Sequence, residues 1–171
     1  YVIALQEKRL QKKTKIDEVL LELPKYAETH TENELLQYTL DKVEKLSSSS
    51  ISFIHALDPK NKNIQFLAWS HNTLKNYCHI ENYEDNYSVS KAGIWAEAVR
   101  QKQPVLINDY HSYVGEKSLP NGHVVLHRMI SVPVIEHDQV VLIAGLGNKE
   151  TDYTQEDINV FQLVLNEIWR I

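Results

Sequence analysis

MISVPVIEHDQVVLIAGLGNKETDYTQEDINVFQLVLNEIW, residues 129–169, reads as strand, tight turn, strand, polar loop and closing helix. Ile130, Val132, Val134 and Ile135 form one apolar, β-branched run, and Val140 to Leu146 form a second. Glu136-His137-Asp138-Gln139 is the turn between them. Asn148 to Tyr153 breaks the strand pattern. Thr154 is then placed to cap a helix, with Glu156 and Asp157 in the first turn, where they oppose the helix dipole. Ile158, Phe161, Leu165, Ile168 and Trp169 recur at helical spacing.

Upstream of this block the pattern alternates. Ala92 to Gln103 reads as a helix ending before Pro104, and Val105-Leu106-Ile107 as a short strand. Ile51 to Leu57 and Ile64 to Trp69 read as two strands joined by a turn at Asp58-Pro59. Thr31 with Glu34 forms a capping box ahead of the helical pattern Leu35, Leu36, Tyr38, Thr39, Leu40, Val43 and Leu46, which Ser47 to Ser50 end. Two stretches, 70–91 and 108–125, show no period; loops of that length inside a small domain are commonly functional.

Tyr1 to Leu23 reads as a charged helix ending before Pro24. Val2, Leu5, Arg9, Lys12, Ile16, Val19 and Leu23 occupy successive a and d heptad positions, which fits a short coiled coil. The same stripe equally fits an amphipathic helix packed on its own domain. The division expected is a helix and linker over residues 1–30 and a globular domain over 31–171. A start at Tyr1 rather than Met reads as a segment of a longer polypeptide.

The 171 residues, 43% apolar and 24% charged, suit one domain with a real core. A net charge of −5, with no Lys/Arg cluster beside aromatics, argues against nucleic acid as a partner. One cysteine, Cys78, leaves no internal disulfide and fits a reducing, cytoplasmic compartment. No apolar run approaches the roughly 20 residues a bilayer span needs.

The ordered set of short motifs resembles the GAF domain, in particular the GAF subset found in bacterial sensor histidine kinases and cyclic-dinucleotide signalling proteins. The set begins with Ala68-Trp69-Ser70, Thr73 and Cys78, then Ala92-Gly93-Ile94-Trp95, Arg100 to Val105 and Asn108-Asp109-Tyr110. It continues through Leu119 to His123, Arg128 and Val132-Pro133-Val134 to Gly145 to Lys149 and Thr151-Asp152-Tyr153. The likeness runs from about Glu34 to Ile171. It implies an α+β fold: an antiparallel sheet of five or six strands, with the N- and C-terminal helices on one face and a loop-covered pocket on the other.

Under that resemblance the expected ligand pocket is Trp69, Cys78, Trp95, Asn108, Asp109, Tyr110, His123 and Arg128. Each has a plainer reading. Trp69 and Trp95 fit a core as well as a pocket wall. Asn108 fits a local turn better than a ligand contact, whereas Asp109 leans toward the ligand. Arg128 is a bidentate anion clamp only if it points inward, and otherwise a surface cation. His123 and His127 have helical i, i+4 spacing, but too few partners stand at metal spacing, so no metal is expected. Cys78-His79 matches the dipeptide of bilin-binding relatives but falls too early in the chain, so a covalent bilin is not expected. With one cysteine, the resolving disulfide of methionine sulfoxide reductase relatives cannot form. Asn148-Lys149, Tyr153 and Asp157 echo a cyclic-nucleotide GAF motif whose final Glu is here Ile158; what remains implies a structural Lys149–Asp157 ion pair.

The resulting expectation is a non-catalytic, small-molecule-sensing module of a multidomain bacterial signal-transduction protein, with no resident cofactor and an unidentified ligand. Its expected partners are a second copy, in parallel, through the Tyr1–Leu23 and Thr154–Ile171 helices, and the domains before and after it in the same polypeptide. The alternatives are a ligand-free dimerisation scaffold and a thiol-dependent reductase.

Overall fold

The computed structural model describes residues 1–60, 62–76, 86–114 and 124–171. In chain order the elements are α1 (Val2–Ala27), α2 (Glu32–Ser47), β1 (Ile51–Leu57), β2 (Asn63–Trp69), α3 (His71–Asn76) and β3 (Asn86–Ser88). A 3-10 turn (Ile94–Ala96) leads into α4 (Glu97–Gln101), followed by β4 (Val105–Ile107), α5 (Tyr110–Val114), β5 (Met129–Glu136), β6 (Gln139–Gly147) and α6 (Gln155–Arg170).

The β5–β6 hairpin pairs from Met129 opposite Gly147 to Glu136 opposite Gln139. Its two loop residues, His137 (φ 48°) and Asp138 (φ 63°), are both left-handed, the I′-type turn whose twist matches that of the strands it joins. Around the hairpin a six-stranded sheet forms in the order β3-β2-β1-β6-β5-β4, with every neighbour antiparallel.

Strand alternation sends Ile54, Ile130, Val132, Val134, Leu142, Ala144 and Leu146 to one face, where they pack under Leu36, Leu40 and Val43 of α2 and Phe161, Val164 and Leu165 of α6. The expected capping box opens α2: Glu34 Oε2 accepts from Thr31 N–H at 2.8 Å. At α6, Asp157 Oδ2 reaches back to Thr154 N–H at 2.9 Å. The α+β layering is therefore the one the hairpin-rich pattern implied.

Four local readings change. First, α1 does not stop before Pro24 but runs on to Ala27. The proline removes one helical N–H, yet Leu23 is fully buried and Tyr26 stacks on Tyr38 with ring centres 4.0 Å apart, so packing holds the last turn. Second, the heptad stripe is consumed within the domain over its later half: Val19 and Leu23 pack in the core with α2 and α6, while Val2 and Leu5 stay exposed. Third, the single helix expected over 92–103 is a 3-10 turn followed by a five-residue α-helix, ended by Lys102 in left-handed geometry (φ 51°). Fourth, the aperiodic stretches contain α3, β3 and α5, of six, three and five residues; elements so short leave no readable period.

Candidate functional site: an aromatic face opposite the helices

The strand residues that alternate away from the helices build an array of rings. Phe53 and His55 of β1 sit two apart, so they share a face. A register shift in the β1–β2 ladder between Ile54 and His55 sets Phe66 opposite His55 while keeping Trp69 opposite Phe53, so both β2 aromatics join the same face. Trp95, from the 3-10 turn, lies over the sheet: its ring is stacked on His55 at 4.8 Å and 22° and edge-on to Phe53 at 5.3 Å. Phe66 is edge-on to His55 at 5.5 Å, and Trp69 is tilted against Phe66 at 4.6 Å. Offset and edge-to-face contacts of this kind are the favourable ring geometries.

Three features hold the array in place. Gly145 pairs with Phe53 across the ladder, and a Cβ there would meet the Phe53 ring at 2.3 Å. Phe53 can lie flat on the sheet only because residue 145 has no side chain. Ser131 Oγ donates to the Trp95 carbonyl at 2.7 Å. The Arg100 guanidinium donates to the carbonyls of Val89 and Ala92, each at 2.7 Å, and pairs with Glu97, bracing the chain that leads into Trp95.

His55 is 4% exposed. Burial disfavours its charged form and pulls its pKa from 6.5 down to about 3, so the imidazole is neutral at physiological pH. Its neighbours Phe53, Phe66, Trp69 and Trp95 are each only partly buried. Beside the array, an aliphatic cluster of Ile64, Val99, Val105, Ile107, Met129, Val140 and Ile143 seals the rest of this face.

The structure separates the predicted pocket residues. Trp69 and Trp95 belong to the array. Tyr110 is buried in the aliphatic cluster, and that burial raises its phenol pKa. Asn108 clamps the chain at Tyr153: its Nδ2 donates to Tyr153 O at 3.0 Å, and Tyr153 N–H donates to Asn108 Oδ1 at 2.7 Å. This is a long-range backbone bond rather than a local turn. Asp109 accepts from the Ser112 hydroxyl at 2.7 Å and the Ser112 N–H at 3.0 Å, which lowers its pKa and occupies both oxygens at the start of α5. Arg128 donates from Nε to Asp152 Oδ1, 2.9 Å away, a single contact with an intramolecular carboxylate. Cys78 and His123, with the 119–123 motif, lie outside the described residues. Lys149 Nζ lies 2.8 Å from Asp157 Oδ2 in a largely buried ion pair.

Sequence reasoning missed Phe53, His55 and Phe66. The Phe53/His55 spacing was a usable signal, because strand residues two apart share a face. The register shift that turns Phe66 to the same side has no sequence mark. Asn148 was also underread: left-handed at φ 56°, it accepts from His127 N–H at 2.8 Å and donates to Val125 O at 2.8 Å, lacing the 125–128 segment to the end of β6. Among the described residues, no three His, Cys, Asp or Glu side chains stand together as a metal site, and no described helix is long and apolar enough to cross a membrane.

A six-stranded antiparallel sheet with the terminal helices on one face is the architecture of a GAF-type domain. The GAF domain family model matches residues 29–171, and the chain belongs to that family. It is 30% identical over 139 residues to a methyl sulfide methyltransferase-associated sensor of Methanosarcina acetivorans; the match covers 81% of this chain but only 14% of that relative's length. Among solved structures, it resembles the GAF domain of an Acinetobacter phosphoenolpyruvate-protein phosphotransferase, with TM-score 0.72, 13% identity and coverage of 92% of this chain and 90% of that one. It also resembles a free methionine-R-sulfoxide reductase of Neisseria meningitidis, crystallised with its substrate, with TM-score 0.66, 10% identity and coverage of 91% and 86%. At these identities the structural likenesses establish the fold alone.

Proposed function

We propose that this GAF domain is the small-molecule sensor of a multidomain signal-transduction protein, of the sensor-kinase or cyclic-dinucleotide type, working in the cytoplasm. The observation that carries the reading is the aromatic array itself: four rings in the middle of a sheet face keep part of their surface exposed, although a sealed core would bury them. The sensor named among its relatives supports the same class. A ligand preferring one arrangement of the domain by about 1–3 kcal/mol suffices to bias an output.

In this reading the chain is not itself an enzyme. The exposed start of α1 and the far end of α6 connect it to neighbouring domains and to a second copy. Val2, Ile3 and Leu5 on α1, and Leu163, Trp169 and Ile171 at or near α6, supply exposed apolar surface for that pairing.

A thermal-shift screen of metabolites against the wild type and Trp95→Ala tests the proposal. Expected is a compound that raises the wild-type Tm and leaves Trp95→Ala unmoved. Stable dimers with no stabilising compound across a broad library would instead support a scaffold. Turnover of methionine sulfoxide that vanishes in Cys78→Ser would make the chain an enzyme.

A further inference from the structure

Helix α2 carries three different faces. Leu36, Leu40 and Val43 enter the core. On one flank, Gln37, Asp41 and Glu44, spaced four and three apart and so aligned in a stripe, reach the end of β2 and the first residues of α3. Gln37 Nε2 donates to Trp69 O at 3.3 Å. Asp41 Oδ1 accepts from His71 N–H at 2.8 Å, and its Oδ2 lies 2.6 Å from His71 Nδ1. Glu44, 6% exposed, accepts from Asn72 Nδ2 at 2.9 Å and from Ser52 Oγ at 2.7 Å. Ser52, Ser70 and Thr73 close the network, with Ser52 N–H donating to Thr73 Oγ1 at 2.9 Å and Ser70 Oγ donating to the same atom at 2.8 Å. On the other flank, Tyr38 Oη and Lys42 Nζ donate to Glu22 Oε2 of α1 at 2.7 and 2.9 Å.

A carboxylate and three hydroxyls in the seam between α2 and the sheet are poor material for stability alone, since apolar residues of similar size commonly do as well or better there. Buried, fully bonded networks instead fix one arrangement of the elements they join. Here the buried cluster around Glu44 joins α2 to β1 and α3, Gln37 extends it to the Trp69 carbonyl, and the exposed contacts of Tyr38 and Lys42 with Glu22 tie α2 to α1.

We propose that the Gln37–Asp41–Glu44 stripe is the mechanical link that makes α2, and through Glu22 α1, follow displacements of Trp69. The purpose of the link rests on the sensing reading, but its existence is testable without a ligand. The test is a double-mutant cycle on the 171-residue chain, read as amide exchange over residues 16–27 of α1. Trp69→Phe is expected to change exchange there by about threefold or more in the wild-type background. In Gln37→Leu/Asp41→Leu the same substitution is expected to change it by less than about 1.5-fold.

Two milder backgrounds keep the test decisive if the double-leucine variant does not fold. Asp41→Asn with Gln37→Ala trims the stripe, and Tyr38→Phe removes only the hydroxyl that reaches Glu22; both are expected to blunt the response. A Trp69→Phe effect of the same size in every background, or no effect in any, overturns the link. Either result leaves ligand binding on the aromatic face to be judged separately by the thermal-shift screen.

Discussion

On the helix-covered face of the sheet, Ile54, Ile130, Val132, Ala144 and Leu146 are 0–1% exposed beneath α2 and α6, whereas on the opposite face Phe53, Phe66, Trp69 and Trp95 keep part of their surface. The first face is aliphatic and close-packed, and each of its side chains is fixed by its neighbours. The second is aromatic, held by a glycine, a serine hydroxyl and an arginine, and carries a neutral buried imidazole. In the proposed reading, one side of the sheet serves stability, and the aromatic part of the other, beside its own aliphatic cluster, offers surface to a guest molecule. Rings supply contact area at little conformational cost, which suits the second task better than the first.

That contrast breaks most easily at the centre of each face. Phe161→Ala, from a ring with no exposure under the sheet, is expected to cost about 3–5 kcal/mol in denaturant unfolding. Trp95→Ala removes a larger side chain but a partly exposed one and is expected to cost less than half as much. Equal losses would mean that the aromatic face is an ordinary core.

The buried imidazole sharpens the contrast through pH. Because the folded-state pKa of His55 is about 3 against 6.5 in the unfolded chain, the unfolded state binds the extra proton as pH falls. Stability is therefore lost progressively from about pH 6.5 down to pH 3, by about 2 kcal/mol at pH 5 for this residue. Urea unfolding at pH 7 and pH 5 should show that much less pH dependence in His55→Leu than in wild type; an unchanged dependence would place the imidazole in contact with solvent.

A subtler test lies at the floor of the array. Gly145→Ala is expected to cost about 1–3 kcal/mol by lifting the Phe53 ring off the sheet, and adding Phe53→Ala should recover part of that loss. Purely additive costs would separate the two positions. The smallest effect belongs to the hairpin turn. Asp138→Gly relieves a left-handed residue and is expected to stabilise by about 0.5 kcal/mol, read as a rise in Tm.

The sequence made the helix-covered face legible because its residues obey simple periods: two in β5 and β6, and three to four in α2 and α6. The capping box at Thr31, the N-cap at Thr154 and the turn at residues 137–138 were legible because each is a local pattern, whereas the Lys149–Asp157 pair came from the family resemblance. The aromatic face was read only in part. Trp69 and Trp95 stood out by size, but the register shift that brings Phe66 to His55 depends on pairing between strands. The polar residues beside the short strand misled because their partners are remote: Asn108 bonds to Tyr153 and Arg128 to Asp152, contacts that only the folded chain creates. The α1 stripe was ambiguous for a physical reason, because the same heptad serves a partner helix or the chain's own α2 and α6.

The central claim, that the aromatic face receives the ligand, is tested most directly by fluorine NMR of protein labelled with 5-fluorotryptophan. The chain has three tryptophans, two in the array and Trp169 at the end of α6, and each resonance is assigned by a Trp→Phe substitution. On adding a compound that raises the Tm, the Trp69 and Trp95 resonances should both shift, and by more than that of Trp169. A stabilising compound that moves neither of them would contradict the account.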